Sequence, residues 1–146
     1  MNAVQHYHVI LVGLDGSRPA AAALQKAIEL AQSDHAALQL VHVIEYSPQV
    51  GSTAELVAQA HEKEQATFTT ELAAARQQAL AAGIEKVTTT ILTGTARTLL
   101  ETQSADLLVV GQSGQSALDR FMLGSFAETI VREATGDVLV VRNEKV

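Results

Sequence analysis

Val9-Ile10-Leu11-Val12, followed by Gly13-Leu14-Asp15-Gly16-Ser17-Arg18-Pro19, is the stretch on which the fold turns. The first four residues are apolar at every position rather than every second one. That is how a strand buried on both faces reads, and such strands belong to parallel sheets covered by helices. Asp15 or Ser17 can cap the helix that follows, with Pro19 in its first turn.

Reading outward, the same pattern recurs. Leu107-Leu108-Val109-Val110 and Val138-Leu139-Val140-Val141 are again continuous apolar runs, and Leu38 to Ile44 forms another strand. Val87 to Leu92 is more polar, and Thr88-Thr89-Thr90 favour an extended edge strand through β-branching. Between the strands lie helical segments: Pro19 to Ser33, Ala54 to Ala82, Ala96 to Gln103 and Ser125 to Ala134. The longest carries Phe68, Leu72, Ala75, Ala79 and Ala82 at helical spacing and stops at Gly83. Ser52 and Glu55 have capping-box spacing at its start, as do Ser125 and Glu128 in the last helix. The order βαβαβαβαβ predicts a single α/β domain over residues 1–146, an open five-stranded parallel sheet with helices on both faces. Ligands of such sheets bind outside the carboxyl ends of the strands, where the strand order reverses. Function is therefore expected in the loops after Leu14 and after Val110.

Composition narrows the classes. The chain has 146 residues, no cysteine and a formal net charge of −6. Thiol chemistry and cysteine-held metals are excluded, and a basic stripe for nucleic acid is missing. No apolar run is long enough to span a bilayer, so no membrane insertion is expected and a cytoplasmic location is. There is no G-x-x-x-x-G-K-[ST] phosphate loop and no G-x-S-x-G nucleophile elbow. His6 and His8 read as part of a frayed terminus, His42 as a satisfied core or rim histidine, and His61, Glu62 and Glu64 as a solvated helix face.

Two places carry candidate chemistry. Asp15, at the end of the first strand, can accept hydrogen bonds from a ligand hydroxyl or amine, or help to hold a divalent cation. After the fourth strand, Gly111 and Gly114 allow a tight bend and close ligand approach without Cβ interference. Gly124-Ser125 then opens a helix whose free N–H groups and dipole suit an anion.

With Gly111, Gly114, Gly124 and Ser125 in Gly-x2-Gly-x9-Gly-Ser spacing, V-x-L-D-G-S at the first strand and L-V-H-V-I at the second, the sequence resembles the nucleotide-binding universal stress proteins. The resemblance implies strand order 3-2-1-4-5, a Rossmann-like fold of the adenine nucleotide alpha hydrolase kind. It implies ATP, with Mg²⁺ or Mn²⁺ as an expected companion: adenine beside the first two strands near Val43, ribose near Asp15, phosphates over the loop from Gly111 to Gln115 and the Ser125 helix end. Leu14, Asp15, Val43, Gly111, Gly114, Gln115, Gly124, Ser125 and Phe126 are the implied contacts, with Asp15 the candidate metal ligand. Many relatives carry Ser-His and then a basic residue where this chain has Gln112, Ser113 and Gln115, so phosphate binding here rests on neutral donors. Asp137 stands where relatives commonly have proline.

The last strand, Val138 to Val141, is an expected sheet edge. An apolar edge invites pairing with a second copy, giving a two-fold homodimer. The expected role is a regulatory module whose nucleotide occupancy alters dimer packing or the affinity for a protein partner, such as a transporter or a signalling enzyme. A slow ATPase or phosphotransferase and a nucleotide-independent scaffold are the alternatives.

Overall fold

The computed structural model describes residues 6–45, 50–113 and 122–142. Five strands, β1 (Val9–Gly13), β2 (Ala37–Ile44), β3 (Val87–Thr93), β4 (Leu107–Gly111) and β5 (Asp137–Val141), form one sheet in the order β3-β2-β1-β4-β5. Every pairing is parallel, as the continuous apolar runs predict. The order reverses at β1, which pairs with β2 on one side and β4 on the other. The chain leaves β1 towards one edge and leaves β4 towards the other, so a crevice opens between the two strand ends.

Four helices cover the sheet: α1 (Arg18–Asp34), α2 (Ala54–Ala81), α3 (Ala96–Thr102) and α4 (Ser125–Glu133). Alternation along each strand divides the core in two. Ile10, Val12, Leu38, Leu40 and Val109 meet Ala23, Ala27 and Ile28 of α1 and Leu72, Ala75 and Ala79 of α2. Leu11, Val41, Val43, Leu108 and Val110 meet Ala96 and Leu99 of α3 and Ala127 and Ile130 of α4. Both faces of β1 and β4 are thus covered, while β3 and β5 form the edges. Val138 to Val141 are each only partly buried. Among the described residues no helix is long and apolar enough to cross a membrane.

Three expectations are corrected. Helix α2 is capped by Thr53, whose hydroxyl accepts from the Leu56 N–H at 3.1 Å. Ser52 lies outside the helix, and Glu55 is one position too early to close a capping box. Helix α4 has Gly124 at its N-cap and no side-chain cap, which puts Ser125 inside the helix and Glu128 beyond the capping-box position. Residues 6–8 are stitched down rather than frayed. Asp34 accepts from the Tyr7 N–H at 2.9 Å and lies 3.1 Å from His6 Nδ1, while Asp106 accepts from the His8 and Val9 N–H groups at 2.9 and 2.8 Å. The Tyr7 hydroxyl donates to Asp137 at 2.6 Å, a use for that residue that a proline would not provide.

Candidate functional site: the cleft at the strand ends

The cleft forms where β1 and β4 diverge, and its first wall is the turn after β1. Leu14 donates its N–H to the Val41 oxygen at 2.9 Å, which carries the chain one residue past the strand with its pairing intact. Gly16 takes a φ of +81°, a conformation that suits glycine, and reverses the chain into α1. Asp15 then accepts from both the N–H and the hydroxyl of Ser17, and Ser17 accepts in turn from the Ala20 N–H at 3.2 Å. Ser17 is thus the cap of α1. Asp15 is held at the strand end by the cap itself, and its carboxylate belongs to the cleft lining.

The opposite wall comes from β4 and α4. A Cβ on Gly111 would lie 2.7 Å from the Pro19 carbonyl carbon and 2.9 Å from its oxygen. Glycine is therefore required here by the close approach of α1, a packing reason rather than the ligand approach expected from the motif. Gln112, one of the departures noted above, is buried and ties three pieces together. Its N–H donates to the Val141 oxygen at 2.8 Å, its oxygen accepts from the Gly124 N–H at 2.8 Å, and its side-chain amide donates to the Met122 oxygen at 3.3 Å. The two ends of the connection from β4 to α4 are thereby clasped side by side. The first turn of α4 faces the cleft, with N–H groups that have no acceptor within the helix and a positive dipole end.

These walls enclose about 710 Å³, within the range of small-molecule sites. Leu14, Asp15, Val43, Gly111, Gly124, Ser125 and Phe126 all line this one volume. Gly114 and Gln115 lie outside the described residues. A third wall was not foreseen. The N-terminal half of α2 lies beside the cleft and contributes Ala60, Lys63, Glu64, Thr67 and Phe68, with Glu45 from the end of β2. Asp15 is therefore one of three carboxylates around the cleft, and Lys63 is the one cation among the described lining residues. Glu64 is not merely solvated, since it sits 2.7 Å from Nε2 of the buried His42. His61 makes a 2.9 Å hydrogen bond to Thr93. Ala60, Lys63, Glu64 and Thr67 share the i, i+3, i+4, i+7 spacing of one helix face, the signal that marks them as a group.

A parallel sheet that reverses at β1, with a cleft at that switch point and an uncapped helix end pointing into it, defines a doubly wound α/β ligand-binding domain. The universal stress protein family model matches residues 6–142, and the chain belongs to that family. A protein of Staphylococcus haemolyticus that carries the universal stress protein name is 37% identical over 96% of this chain and 87% of its own length. Universal stress protein UspA from Lactobacillus plantarum superposes with a TM-score of 0.86 at 26% identity, covering 95% of this chain and 100% of that one. A universal stress protein solved in complex with cAMP gives a TM-score of 0.72 at 28% identity, covering 96% of this chain and 100% of that one.

Proposed function

We propose that the chain binds an adenine nucleotide, ATP in the first place, in the cleft at the ends of β1 and β4. On this reading it serves as a regulatory module in the cytoplasm, with occupancy altering the packing of a homodimer or the affinity for a protein partner. The observation that carries the reading is one continuous volume, bounded by the Asp15 turn and Val43 and by the open N-terminus of α4. A carboxylate that can accept ribose hydroxyls and main-chain N–H groups that can meet phosphate oxygens suit the two polar parts of a nucleotide. The relative solved with cAMP, a smaller adenine nucleotide, supports the same class of ligand.

The donor set fits a polyphosphate held by main-chain and hydroxyl groups: Ser125 and Ser113 line the cleft, and the first turn of α4 adds its N–H groups. Among the described residues no three His, Asp or Glu side chains converge on a cation position. A Mg²⁺ or Mn²⁺ ion would therefore take most of its ligands from the phosphates and water, with Asp15 as a protein ligand, in the manner usual for Mg²⁺ with nucleotides. Denaturing the purified protein and identifying the released small molecules by mass tests the reading directly. Co-purified ATP, or calorimetric binding of ATP in competition with cAMP, is the expected result. A protein that neither carries nor binds an adenine nucleotide refutes it.

A further inference from the structure

Two hydrogen-bond acceptors face the ring of His42. Nδ1 lies 2.6 Å from the Leu14 main-chain oxygen, and Nε2 lies 2.7 Å from a carboxylate oxygen of Glu64. A neutral imidazole carries one hydrogen and can satisfy only one of them, so the geometry requires hydrogens on both nitrogens or one on the carboxyl. Either way the pair holds one proton more than a neutral ring beside a carboxylate. The side chain is only 5% exposed, and the ring stacks on Phe68 with centroids 3.4 Å apart and planes 5° from parallel.

This cluster joins three parts of the cleft. The Leu14 peptide is gripped at both ends, its N–H by Val41 and its oxygen by His42, and Asp15 is the next residue. Glu64 and Phe68 belong to the half of α2 that walls the cleft. The fully buried residues of that helix, Leu72, Ala75 and Ala79, all lie further along. Among the described residues, the cleft half of α2 is therefore anchored by the His42 cluster and by the exposed His61–Thr93 bond.

We propose that His42 is a positioning residue whose shared proton with Glu64 holds α2 over the cleft, so that nucleotide affinity falls as that proton is lost. The proposal rests on the adenine-nucleotide reading of the cleft. After deprotonation Nδ1–H keeps its bond to Leu14, and the Nε2 lone pair then opposes a carboxylate. Glu64 turns to water, and the helix wall loosens. The other charged groups around the cleft are Asp15 after β1, Glu45 after β2 and Lys63 on α2. From β3, Ile91 is the residue in register with His42. From α1, the buried residues are alanines, Leu24 and Ile28.

The test compares ATP affinity by calorimetry from about pH 6 to pH 9, the range in which histidine charge commonly changes. Wild type should lose about tenfold in affinity across it, the size of one charge-assisted hydrogen bond. In Glu64→Gln the amide donates to Nε2 of a neutral ring, so the tether persists at every pH and the profile relative to wild type flattens. Any titration of ATP itself is common to both proteins. Glu64→Ala should bind at low pH as weakly as wild type does at high pH, with its helix content unchanged by circular dichroism. Superimposable profiles for wild type and Glu64→Gln overturn the proposal. The ring ¹⁵N resonances of His42 supply a readout without nucleotide. A shared proton that responds to pH in wild type, and its absence in Glu64→Gln, is the expected pattern; identical ring spectra overturn the proposal whatever the nucleotide does. Absence of ATP binding in all three proteins, alongside the expected ring spectra, refutes the nucleotide reading and leaves the tether standing.

Discussion

Adding one methyl group to Gly111 separates packing from ligand approach as the reason for the glycine. In Gly111→Ala the new Cβ would lie 2.7, 2.8 and 2.9 Å from the Pro19 carbonyl carbon, Cβ and oxygen. Two of these are main-chain atoms that cannot rotate away, so the start of α1 must move. Overpacking of this kind costs about 1–3 kcal/mol. The loss of glycine's freedom in the unfolded chain offsets about 0.4–1 kcal/mol of that, leaving a net destabilisation of about 1–2 kcal/mol. With a urea slope of about 2 kcal/mol/M, the unfolding midpoint should fall by about 0.5–1 M. Gly13→Ala is the internal control. Its Cβ would meet Phe126 Cε1 at 3.6 Å and Val110 Cγ1 at 3.9 Å, both ordinary contacts, and Gly13 has no positive φ. Only the unfolded-state term remains there, so the midpoint should hold or rise slightly. Urea melts of the two variants beside wild type decide the matter. A Gly111→Ala midpoint equal to or above wild type, or equal shifts for both variants, would refute the packing argument.

Three further outcomes are expected. The N–H of Tyr7 and the ring of His6 hold the Asp34 carboxyl below its usual range; burial pushes Asp106 up, but the His8 and Val9 N–H groups more than reverse it. Both carboxylates therefore stabilise the fold above the ordinary carboxyl pKa and lose that contribution as pH falls below about 4, so residues 6–8 should detach first on acidification; an amide-resonance titration in which Tyr7 and Val9 hold their folded shifts after the core has melted would contradict this. The partly exposed apolar β5 edge should pair two copies, and sedimentation velocity at micromolar concentration should report a dimer, a persistent monomer counting against it. Gln112→Ala removes the side-chain bond to Met122 while leaving the main-chain bonds, so any effect of nucleotide on the dimer equilibrium should shrink; an undiminished effect would show that the clasp plays no part.

What the sequence makes legible is whatever depends on local pattern. Val9 to Val12 and Leu107 to Val110 announce buried parallel strands because every residue meets a covered face. Asp15 announces itself because the strand–turn–helix around it leaves a carboxylate at the switch point. The α2 wall is illegible for a physical reason. Helical periodicity reports the buried half of that helix, from Leu72 onward, whereas Lys63 and Glu64 reach the cleft only because the helix overhangs the sheet. That overhang is set by the chain joining β2 to α2 and by packing against β3. Gln112 misleads in a similar way. Polar and next to a glycine, it suggests a ligand contact, but its amide finds an acceptor at Met122, ten positions further on in the chain.

A regulatory reading requires that a ligand bind two states unequally, since equal affinity shifts no equilibrium. Gln112 supplies a physical connection on which such a difference can act. Its main-chain oxygen holds Gly124 at the cap of α4, the helix end that faces the cleft, and its N–H holds Val141, the last residue of β5. One residue is therefore bonded both to the helix end proposed for phosphate and to the sheet edge proposed for the dimer. Ligand that draws on the N-terminus of α4 strains or relieves the same peptide that fixes β5. Linkage then works in both directions: a dimer that prefers one setting of that peptide must bind the nucleotide with altered affinity. On this argument the neutral cradle is an advantage. A site without a committed phosphate lysine or arginine retains its ligand less tightly, and occupancy can follow nucleotide concentration instead of remaining saturated.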